Sequence, residues 1–254
     1  MRIVNLSSGS KGNATYVETS KNKILLDAGR NVDYLNESLE SIGVSLDDID
    51  YCIITHTHTD HISSLKALAK KGKIIIVASL KMFKEMKDIK NYEHILVYDD
   101  EINLDGIIIN AIHSSHDAVD SRNFIIDDCG KKVAYITDTG YINSKYFPML
   151  FNLDAYLLES NHDIEMLQHG PYPAWLKKRV LSDVGHLSNN SAGFYLTKLI
   201  GPNTKQVLLI HLSETNNMEK LALNTVKGIL EEYNILFNKI SCAHQNALSE
   251  EVLI

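Results

Sequence analysis

The sequence predicts an α/β fold with two β-sheet layers and helices on their outer faces. Strand and helix patterns alternate before Glu101, which indicates β-α-β packing. From Glu101 to Asp138 the pattern changes to antiparallel strands, with hairpin turns at Asp105-Gly106 and Asp128-Cys129-Gly130-Lys131. The second half mixes strands and helices again, and no linker rich in Pro, Gly or Ser separates the halves. We therefore expect residues 1–254 to form a single domain.

The composition is typical of a globular protein. Hydrophobic residues make up 44% of the chain and charged residues 22%, close to the usual values. No apolar run approaches the roughly 18 residues of a membrane span, and Met1 to Asn13 lacks the apolar centre of a signal peptide. Cys52, Cys129 and Cys242 show no CxxC spacing, so we expect reduced thiols and a cytoplasmic protein without membrane contact. The net charge of −7 argues against a non-specific nucleic-acid coat protein, although it leaves room for a local basic patch.

The individual elements follow from hydrophobic periodicity and turn residues. The loop Ser7 to Asn13 lacks the spacing of a P-loop, and Asp27 at the end of an apolar strand is expected to orient a neighbouring group or cap a turn. Apolar residues at three-to-four spacing predict a helix over Val32 to Ile42 that Gly43 ends. The other predicted helices span Ile62–Lys70, Leu80–Ile89, Ser144–Phe151 and Asn217–Tyr233, with helical segments before Thr197. The predicted strands are Arg2–Leu6, Ala14–Thr19, Asn22–Asp27, Tyr51–Ile54, Lys73–Val77, Ile95–Val97, Ile107–Ile112, Val133–Thr137, Ala155–Glu159, Val207–Ile210 and a closing strand from Ile240.

The stretch Thr55 to His61 has the features of a metal site. It carries three imidazoles and a carboxylate directly after a buried strand and before a helix. His56 and His58 are two residues apart, so both rings can face one ion in an extended turn, while Asp60 and His61 can reach a second ion. Zinc, manganese and iron all accept imidazole nitrogen and carboxylate oxygen. The alternative, a polar loop with incidental histidines, does not explain this strand and helix context.

Three further candidate ligands follow other predicted strands. His116 lies in the loop after Ile107 to Ile112, Asp138 closes the strand that begins at Val133, and His211 ends the strand Val207 to Ile210. Strand ends are where an α/β sheet displays its chemistry. His113 and Asp117 compete with His116 for the ligand role, and His113 is alternatively a packed or supporting residue on its strand.

The order of these motifs resembles the metallo-β-lactamase superfamily over about the first 215 residues. Within it, the chain is similar to the bacterial YycJ/WalJ-type, nuclease-like proteins. One departure is Ser64, where many members have glycine. The superfamily resemblance is carried by Asp27, His56-x-His58-x-Asp60-His61, His116, Asp138 and His211. The subgroup resemblance is carried by Ser7–Ala14, Leu157–His162, Gly170–Pro173, Gly185–Asn189 and His211–Ser213.

The resemblance implies a four-layer αββα sandwich with a dinuclear metal site at the sheet edge. By this match His56, His58 and His116 hold the first ion, Asp60, His61 and His211 hold the second, and Asp138 bridges them. Two divalent zinc, manganese or iron ions would lower the pKa of a shared water and provide hydroxide at neutral pH. Their four positive charges exceed the two carboxylates, which suits an anionic substrate.

Three features favour a phosphodiester as the substrate. His186 precedes a predicted helix with Ser188 as N-cap, whose backbone amides are candidates for a phosphate site. By resemblance to transfer-RNA-processing nucleases, His186 contacts the scissile phosphate and Glu159 assists it. The basic residues Lys177, Lys178 and Arg179 follow the aromatic residues Tyr172 and Trp175, a combination that grips single strands. The alternatives are a solvated helix face for the basic residues, core burial for Trp175 and a supporting role for His186.

We therefore expect a metal-dependent hydrolase, a phosphodiesterase or DNA exonuclease that uses a metal-bridged hydroxide. The expected catalytic residues are Asp60, His186 and Glu159, and Asp27 supports the metal ligands. One alternative is a small-molecule hydrolase of the same fold acting on a thioester, lactone or cyclic phosphodiester. Another is a non-hydrolytic metal-binding regulatory protein. The expected substrate-binding residues are His186, Ser188, Tyr172, Lys178 and Arg179.

Overall fold

Two seven-stranded sheets organise the computed structural model, which describes all 254 residues. The strands of the first sheet are, in chain order, β1 (Arg2–Ser7), β2 (Ala14–Glu18), β3 (Lys23–Leu26), β4 (Tyr51–Ile53), β5 (Ile75–Ser79) and β6 (Ile95–Tyr98). The second sheet comprises β7 (Glu101–Leu104), β8 (Ile107–His113), β9 (Arg122–Asp128), β10 (Lys131–Ile136), β11 (Ala155–Glu159), β12 (Gln206–Ile210) and β13 (Ile240–Cys242). The last strand, β14 (Val252–Leu253), returns to pair with β1 in the first sheet.

Each sheet combines an antiparallel half with a parallel half. In the first sheet the order is β14-β1-β2-β3-β4-β5-β6, and the strands from β3 to β6 are parallel. In the second sheet the order is β13-β12-β11-β10-β9-β8-β7, and the strands from β10 to β13 are parallel. The carboxyl ends of parallel strands meet at one edge of a sheet, so loops that follow β4, β10, β11 and β12 have the position of a functional site.

Nine α-helices complete the structure. They are α1 (Val32–Ser41), α2 (Thr59–Ile62), α3 (Leu65–Lys71), α4 (Leu80–Glu85), α5 (Phe147–Leu150), α6 (Ile164–His169), α7 (Ala174–Val180), α8 (Asn189–Leu199) and α9 (Glu219–Glu232). None of them is both long enough and apolar enough to cross a membrane.

Three hydrophobic layers hold the two sheets and the helices together. Ile24 and Leu26 of β3 belong to the cluster between the sheets, whereas Leu25 belongs to the cluster under the first set of helices. Successive strand residues point to opposite faces, so a strand buried on both faces is apolar throughout. A third cluster joins the second sheet to α8 and α9, for example through Leu158 and Val226. The predicted α/β sandwich of two sheets with outer helices is confirmed.

The prediction of one continuous helix over Ile62 to Lys70 is wrong. The structure has two helices here, because α2 ends at Ile62 and α3 begins at Leu65. The backbone amide of Ser64 donates to the carbonyl of Ala28 at 2.9 Å, and Ser63 Oγ donates to the carbonyl of Gly29 at 2.6 Å. These bonds tie the chain to the segment after β3 and interrupt the helix. The amide of Ser64 is bonded to a residue outside the helix and is therefore not available for a helical hydrogen bond.

Two other predicted helices are shorter than expected. Lys87–Ile89 is a 3₁₀ turn after α4, and Ser144–Tyr146 is a 3₁₀ turn before α5. Such turns are common at the ends of α-helices.

Candidate metal centre

His56, His58 and His116 form one group of converging imidazole nitrogens. His58 Nδ1 lies 3.1 Å from His56 Nε2 and 3.2 Å from His116 Nε2. A tetrahedral zinc site with zinc to nitrogen distances near 2.1 Å has ligand atoms about 3.4 Å apart. The three nitrogens therefore have the spacing that one bound ion requires.

Asp60, His61 and His211 form a second group, whose donor atoms lie within 4.8 Å of one another. Asp138 lies between the two groups: Oδ2 is 3.2 Å from His61 Nε2, and Oδ1 is 3.7 Å from His116 Nε2. The structure thus brings together all seven side chains that the sequence suggested as ligands. Imidazoles and carboxylates in this arrangement fit divalent metal ions.

The protonation tendencies of the two central histidines differ. Burial, together with the neighbouring His61, holds the pKa of His56 well below its ordinary value, which favours the neutral, metal-binding imidazole. Burial acts in the same direction on His61, but Asp27 and Asp138 outweigh it and hold the pKa of His61 well above its ordinary value. A cation, either a proton or a metal ion, is therefore favoured between His61 and these carboxylates.

Asp27 supports the site from behind. Its fully buried carboxylate accepts hydrogen bonds from the backbone amide of Thr55 at 2.8 Å and from Thr55 Oγ1 at 2.8 Å. His61 Nδ1 lies 2.8 Å from the same carboxylate, so Nε2 is the nitrogen that faces Asp138 and the other ligand groups. Asp27 therefore orients His61, as its place at the end of β3 suggested.

Three residues of the site adopt a left-handed backbone conformation within two residues of a strand end. Asp27, Asp138 and His211 have φ values of 60°, 47° and 58°. Positive φ is uncommon for residues other than glycine and is concentrated at functional sites. At these positions the chain turns sharply at the strand end, and the side chain stays at the edge where the ligand groups meet.

Glu159 connects His186 with His211. It is fully buried, and its Oε1 lies 2.8 Å from His186 Nδ1 and 2.8 Å from His211 Nδ1. Its Oε2 accepts hydrogen bonds from the backbone amides of Thr139 at 3.0 Å and Leu187 at 3.1 Å. Burial opposes ionisation, but His186 and His211 outweigh it and lower the pKa of Glu159 to about 2. Glu159 is therefore a carboxylate that orients two rings, without access to a substrate of its own.

A pocket of about 280 Å³ opens over these groups. Arg179 and Tyr172 line it, as predicted for substrate-binding residues, and so does His186. Asn161 and Ser213, which the sequence analysis did not name as site residues, line it as well. Two signals could have found them: each lies shortly beyond the end of β11 or β12, and each belongs to a segment that carries the subgroup resemblance. The lining residues are Ser10, His58, Asp60, His116, Asp138, Asn161, Tyr172, Leu176, Arg179, Val180, His186, His211 and Ser213.

Arg179 is held by Asp117 through two parallel hydrogen bonds. The distances are 2.6 Å from Nε to Oδ2 and 2.8 Å from Nη2 to Oδ1. This hydrogen bonding to Arg179 lowers the pKa of Asp117. Asp117 Oδ1 also lies 3.5 Å from His116 Nε2, so the ion pair borders the first ligand group. Asp117, an alternative ligand in the sequence analysis, is thus the partner of Arg179.

Ser188 and Lys178, which the sequence suggested as substrate-binding residues, do not line the pocket. Ser188 is buried as the N-cap of α8, where its Oγ accepts a hydrogen bond from the amide of Ser191 at 3.1 Å. The amide of Asn189 is also occupied, by the carbonyl of His162. Lys178 lies on the exposed face of α7 because a seven-residue helix can turn only some of its side chains towards the pocket.

Comparisons with known proteins identify the family and several relatives. Residues 22–212 match the family described as Beta-lactamase superfamily domain. Exodeoxyribonuclease WalJ of Streptococcus pneumoniae is 37% identical over 239 residues, which cover 91% of this chain and 88% of that protein. Exodeoxyribonuclease YycJ of Bacillus anthracis is 35% identical over 232 residues, covering 89% and 88% of the two chains. The crystal structure of the metallo-beta-lactamase fold protein YhfI from Bacillus subtilis covers 99% of both chains, with a TM-score of 0.73 and 15% identity.

Proposed function

Because this chain belongs to the β-lactamase superfamily and is a metal-dependent hydrolase of the nuclease type, we propose that it is an exonuclease that hydrolyses phosphodiester bonds in DNA. The observation that carries the proposal is His186, which Glu159 holds beside the ligand groups and which lines the pocket without belonging to either of them. The names of the two curated relatives, each matched over most of its length, support the same activity.

The seven converging side chains support the binding of two divalent ions, which we take to be zinc, manganese or iron. We assign His56, His58 and His116 to one ion, Asp60, His61 and His211 to the other, and Asp138 to both. When bound, such ions make hydroxide available from water near neutral pH and stabilise negative charge on phosphate oxygens.

His186 supplies the proton in this proposal. Its Nδ1 is engaged by Glu159, so Nε2 is the nitrogen free for the substrate. We assign to Nε2 the donation of a proton to the oxygen that leaves phosphorus, and to the ionised Glu159 the stabilisation of the charged ring.

Asp60 and Arg179 complete the proposed machinery. Asp60 lies at the pocket wall beside His211 and orients the attacking water, while the guanidinium of Arg179 contacts a non-bridging phosphate oxygen. A cytoplasmic location and a DNA rather than RNA substrate remain predictions within this proposal.

Incubation of the protein with manganese or zinc, followed by assays on three substrates, tests the proposed activity. End-labelled DNA should be shortened from one end, and bis-p-nitrophenyl phosphate should be cleaved as a small phosphodiester. A lactoyl thioester should be unaffected. Thioester cleavage without phosphodiester cleavage under every metal would establish the small-molecule alternative instead.

His186→Ala should lower kcat on DNA by about a hundredfold or more, the usual loss for a general acid. Its metal content, measured by atomic emission, should match that of the unchanged protein because His186 is outside the two assigned ligand sets. Loss of metal in this variant would instead make His186 a structural support of the ligands. His169→Ala is a matched control, since His169 is exposed at the end of α6, where its ring hydrogen-bonds to Glu165, and it does not line the pocket.

A further inference from the structure

The only tryptophan of the chain, Trp175, is 68% exposed on helix α7. Tryptophan side chains are usually buried for most of their surface, so this exposure is unusual and needs a reason. The core alternative that the sequence left open for Trp175 is thereby excluded.

Helix α7 also forms part of the wall of the pocket over the ligand groups. Leu176, Arg179 and Val180 line the pocket, and the backbone amide of His186 donates to the carbonyl of Val180 at 3.1 Å. Trp175 lies four residues before Arg179, so the two side chains are neighbours on one helix face, with Cβ atoms about 5 to 6 Å apart. The exposed indole is therefore one helical turn from a group at the pocket wall.

Two cations flank the indole on this face. Lys178 follows Trp175 by three residues, is exposed and forms no ion pair, whereas Lys177 donates to the carbonyl of Gln168 at 2.7 Å. Arg179, four residues after Trp175, lies on the same face of α7 and lines the pocket. Arg179 is paired with Asp117, so Lys178 is the cation on this face that has no carboxylate partner. An exposed aromatic ring beside positive charges is the arrangement by which proteins hold single-stranded nucleic acids.

The pocket itself has room for only a small part of such a strand. Its volume of about 280 Å³ is at the lower end of the range of ligand pockets, about 300 to 1,000 Å³. A longer substrate must therefore continue over the pocket rim, and α7 is part of that rim.

We propose that Trp175 and Lys178 on α7, called here the α7 rim, bind the unpaired strand that extends from the pocket. Trp175 stacks on a base, and Lys178 contacts a phosphate. In a duplex every base except the terminal pair is stacked on both faces, so beyond the end no base face is available to the indole. The α7 rim therefore selects single-stranded ends. This inference rests on the proposed nuclease function and adds the form of the nucleic acid to it.

Kinetics of the metal-loaded enzyme test the stacking role. Trp175→Ala should lower kcat/KM on single-stranded DNA about tenfold more than on bis-p-nitrophenyl phosphate, because one base stack is lost. Trp175→Phe should recover most of the loss. Phe151→Ala is the matched control, since Phe151 is 52% exposed but lies at the end of α5, outside the pocket. Unchanged melting temperatures would show that the fold is intact.

The salt dependence of kcat/KM distinguishes the role of Lys178 from that of Trp175. Lys178→Ala should make the slope of log kcat/KM against log salt concentration shallower by about 0.7, as expected for one lost phosphate contact to a single strand. Trp175→Ala should lower kcat/KM without a change of slope. Lys84→Ala removes an exposed lysine from α4 and is the control for a general change in charge.

Because Trp175 is the only tryptophan, its fluorescence reports the contact directly. Single-stranded phosphorothioate DNA, which is cleaved slowly, should quench the emission of the metal-loaded enzyme, whereas a duplex of the same sequence should quench it much less. If Trp175→Ala lowers kcat/KM equally on single-stranded DNA and on bis-p-nitrophenyl phosphate, or if the emission is not quenched when the strand binds, the proposed role of the α7 rim is overturned. This surface would then be left to a protein partner. If the unchanged enzyme cleaves no phosphodiester at all, the proposed function fails instead.

Discussion

At the residue scale, Glu159 and Asp117 have the same role, because each carboxylate holds a side chain that lines the pocket. Glu159 is buried and holds His186 and His211, whereas Asp117 is partly exposed and holds Arg179. Each is a carboxylate that fixes the direction of a cationic or potentially cationic side chain. Orientation of this kind lets a side chain meet its partner with little loss of conformational entropy.

The Asp117 and Arg179 pair gives a prediction about substrate binding. Asp117→Asn removes the negative charge and one of the two acceptors that hold the guanidinium, so Arg179 becomes less ordered. We expect kcat/KM on DNA to fall by about two- to fivefold, the range for a partly exposed ion pair, with metal content unchanged. Steady-state kinetics and metal analysis measure both quantities.

Asp127→Asn is the matched control for this prediction. Asp127 lies 3.3 Å from Lys132 in a hairpin outside the pocket, so its loss should leave the kinetics unaltered. If Asp117→Asn loses metal, Asp117 is a ligand, and its assignment as the partner of Arg179 is wrong.

At the scale of elements, strand ends rather than helices supply the site. Sharp left-handed turns at Asp27, Asp138 and His211 keep these side chains at the common edge of the sheets. The segment after β4 reaches the same edge because Ser63 and Ser64 anchor it to the chain after β3. The interruption between α2 and α3 is therefore part of how the ligand loop is positioned.

The start of β11 is held by Asp154 and gives a prediction about pH. Asp154 accepts hydrogen bonds from the amide of Lys132 at 2.9 Å and from Lys205 Nζ at 2.9 Å. Burial raises its pKa, but these two donors outweigh burial and hold the pKa below the ordinary value of 3.8. A carboxyl with a lowered folded pKa stabilises the protein above its unfolded pKa, and this contribution disappears as pH falls through the folded value.

Asp154→Asn should therefore lower the free energy of unfolding by about 1 kcal/mol at neutral pH. The difference from the unchanged protein should shrink below pH 3.8. Urea unfolding followed by circular dichroism at several pH values measures this difference. A constant difference across the acid range would contradict the role of the charge, and Asp88→Asn, at a carboxyl that is 75% exposed, is the control.

At the scale of the whole molecule, the site joins the two sheets. His56, His58, Asp60 and His61 follow a strand of the first sheet, whereas His116, Asp138 and His211 follow strands of the second. Ions bound between these groups would link the sheets only in the folded state. Any ligand that binds the folded state selectively raises its stability by mass action.

Metal removal should therefore destabilise the molecule. At a metal concentration about a hundredfold above Kd, each bound ion stabilises the folded state by about 2.7 kcal/mol, which corresponds to about 5 to 10 °C in Tm per ion for a chain of this size. Differential scanning calorimetry with and without a chelator measures the shift.

Asp138→Ala removes the carboxylate between both groups, so its Tm should respond much less to the chelator. A full metal response in this variant would show that Asp138 does not hold the ions.

The sequence alone determined the fold class, most strand positions and the seven converging side chains. A buried strand appears in the sequence as a local run of apolar residues. A metal-binding motif such as His56-x-His58 appears as a short spacing between residues of ligand type. Only the tertiary structure decided that Glu159 contacts His211 as well as His186, that Arg179 rather than Lys178 lines the pocket, and that Ser188 lies behind it. These facts depend on which side chains meet across distant parts of the chain and on the face that a helix turns inward, and local patterns contain neither.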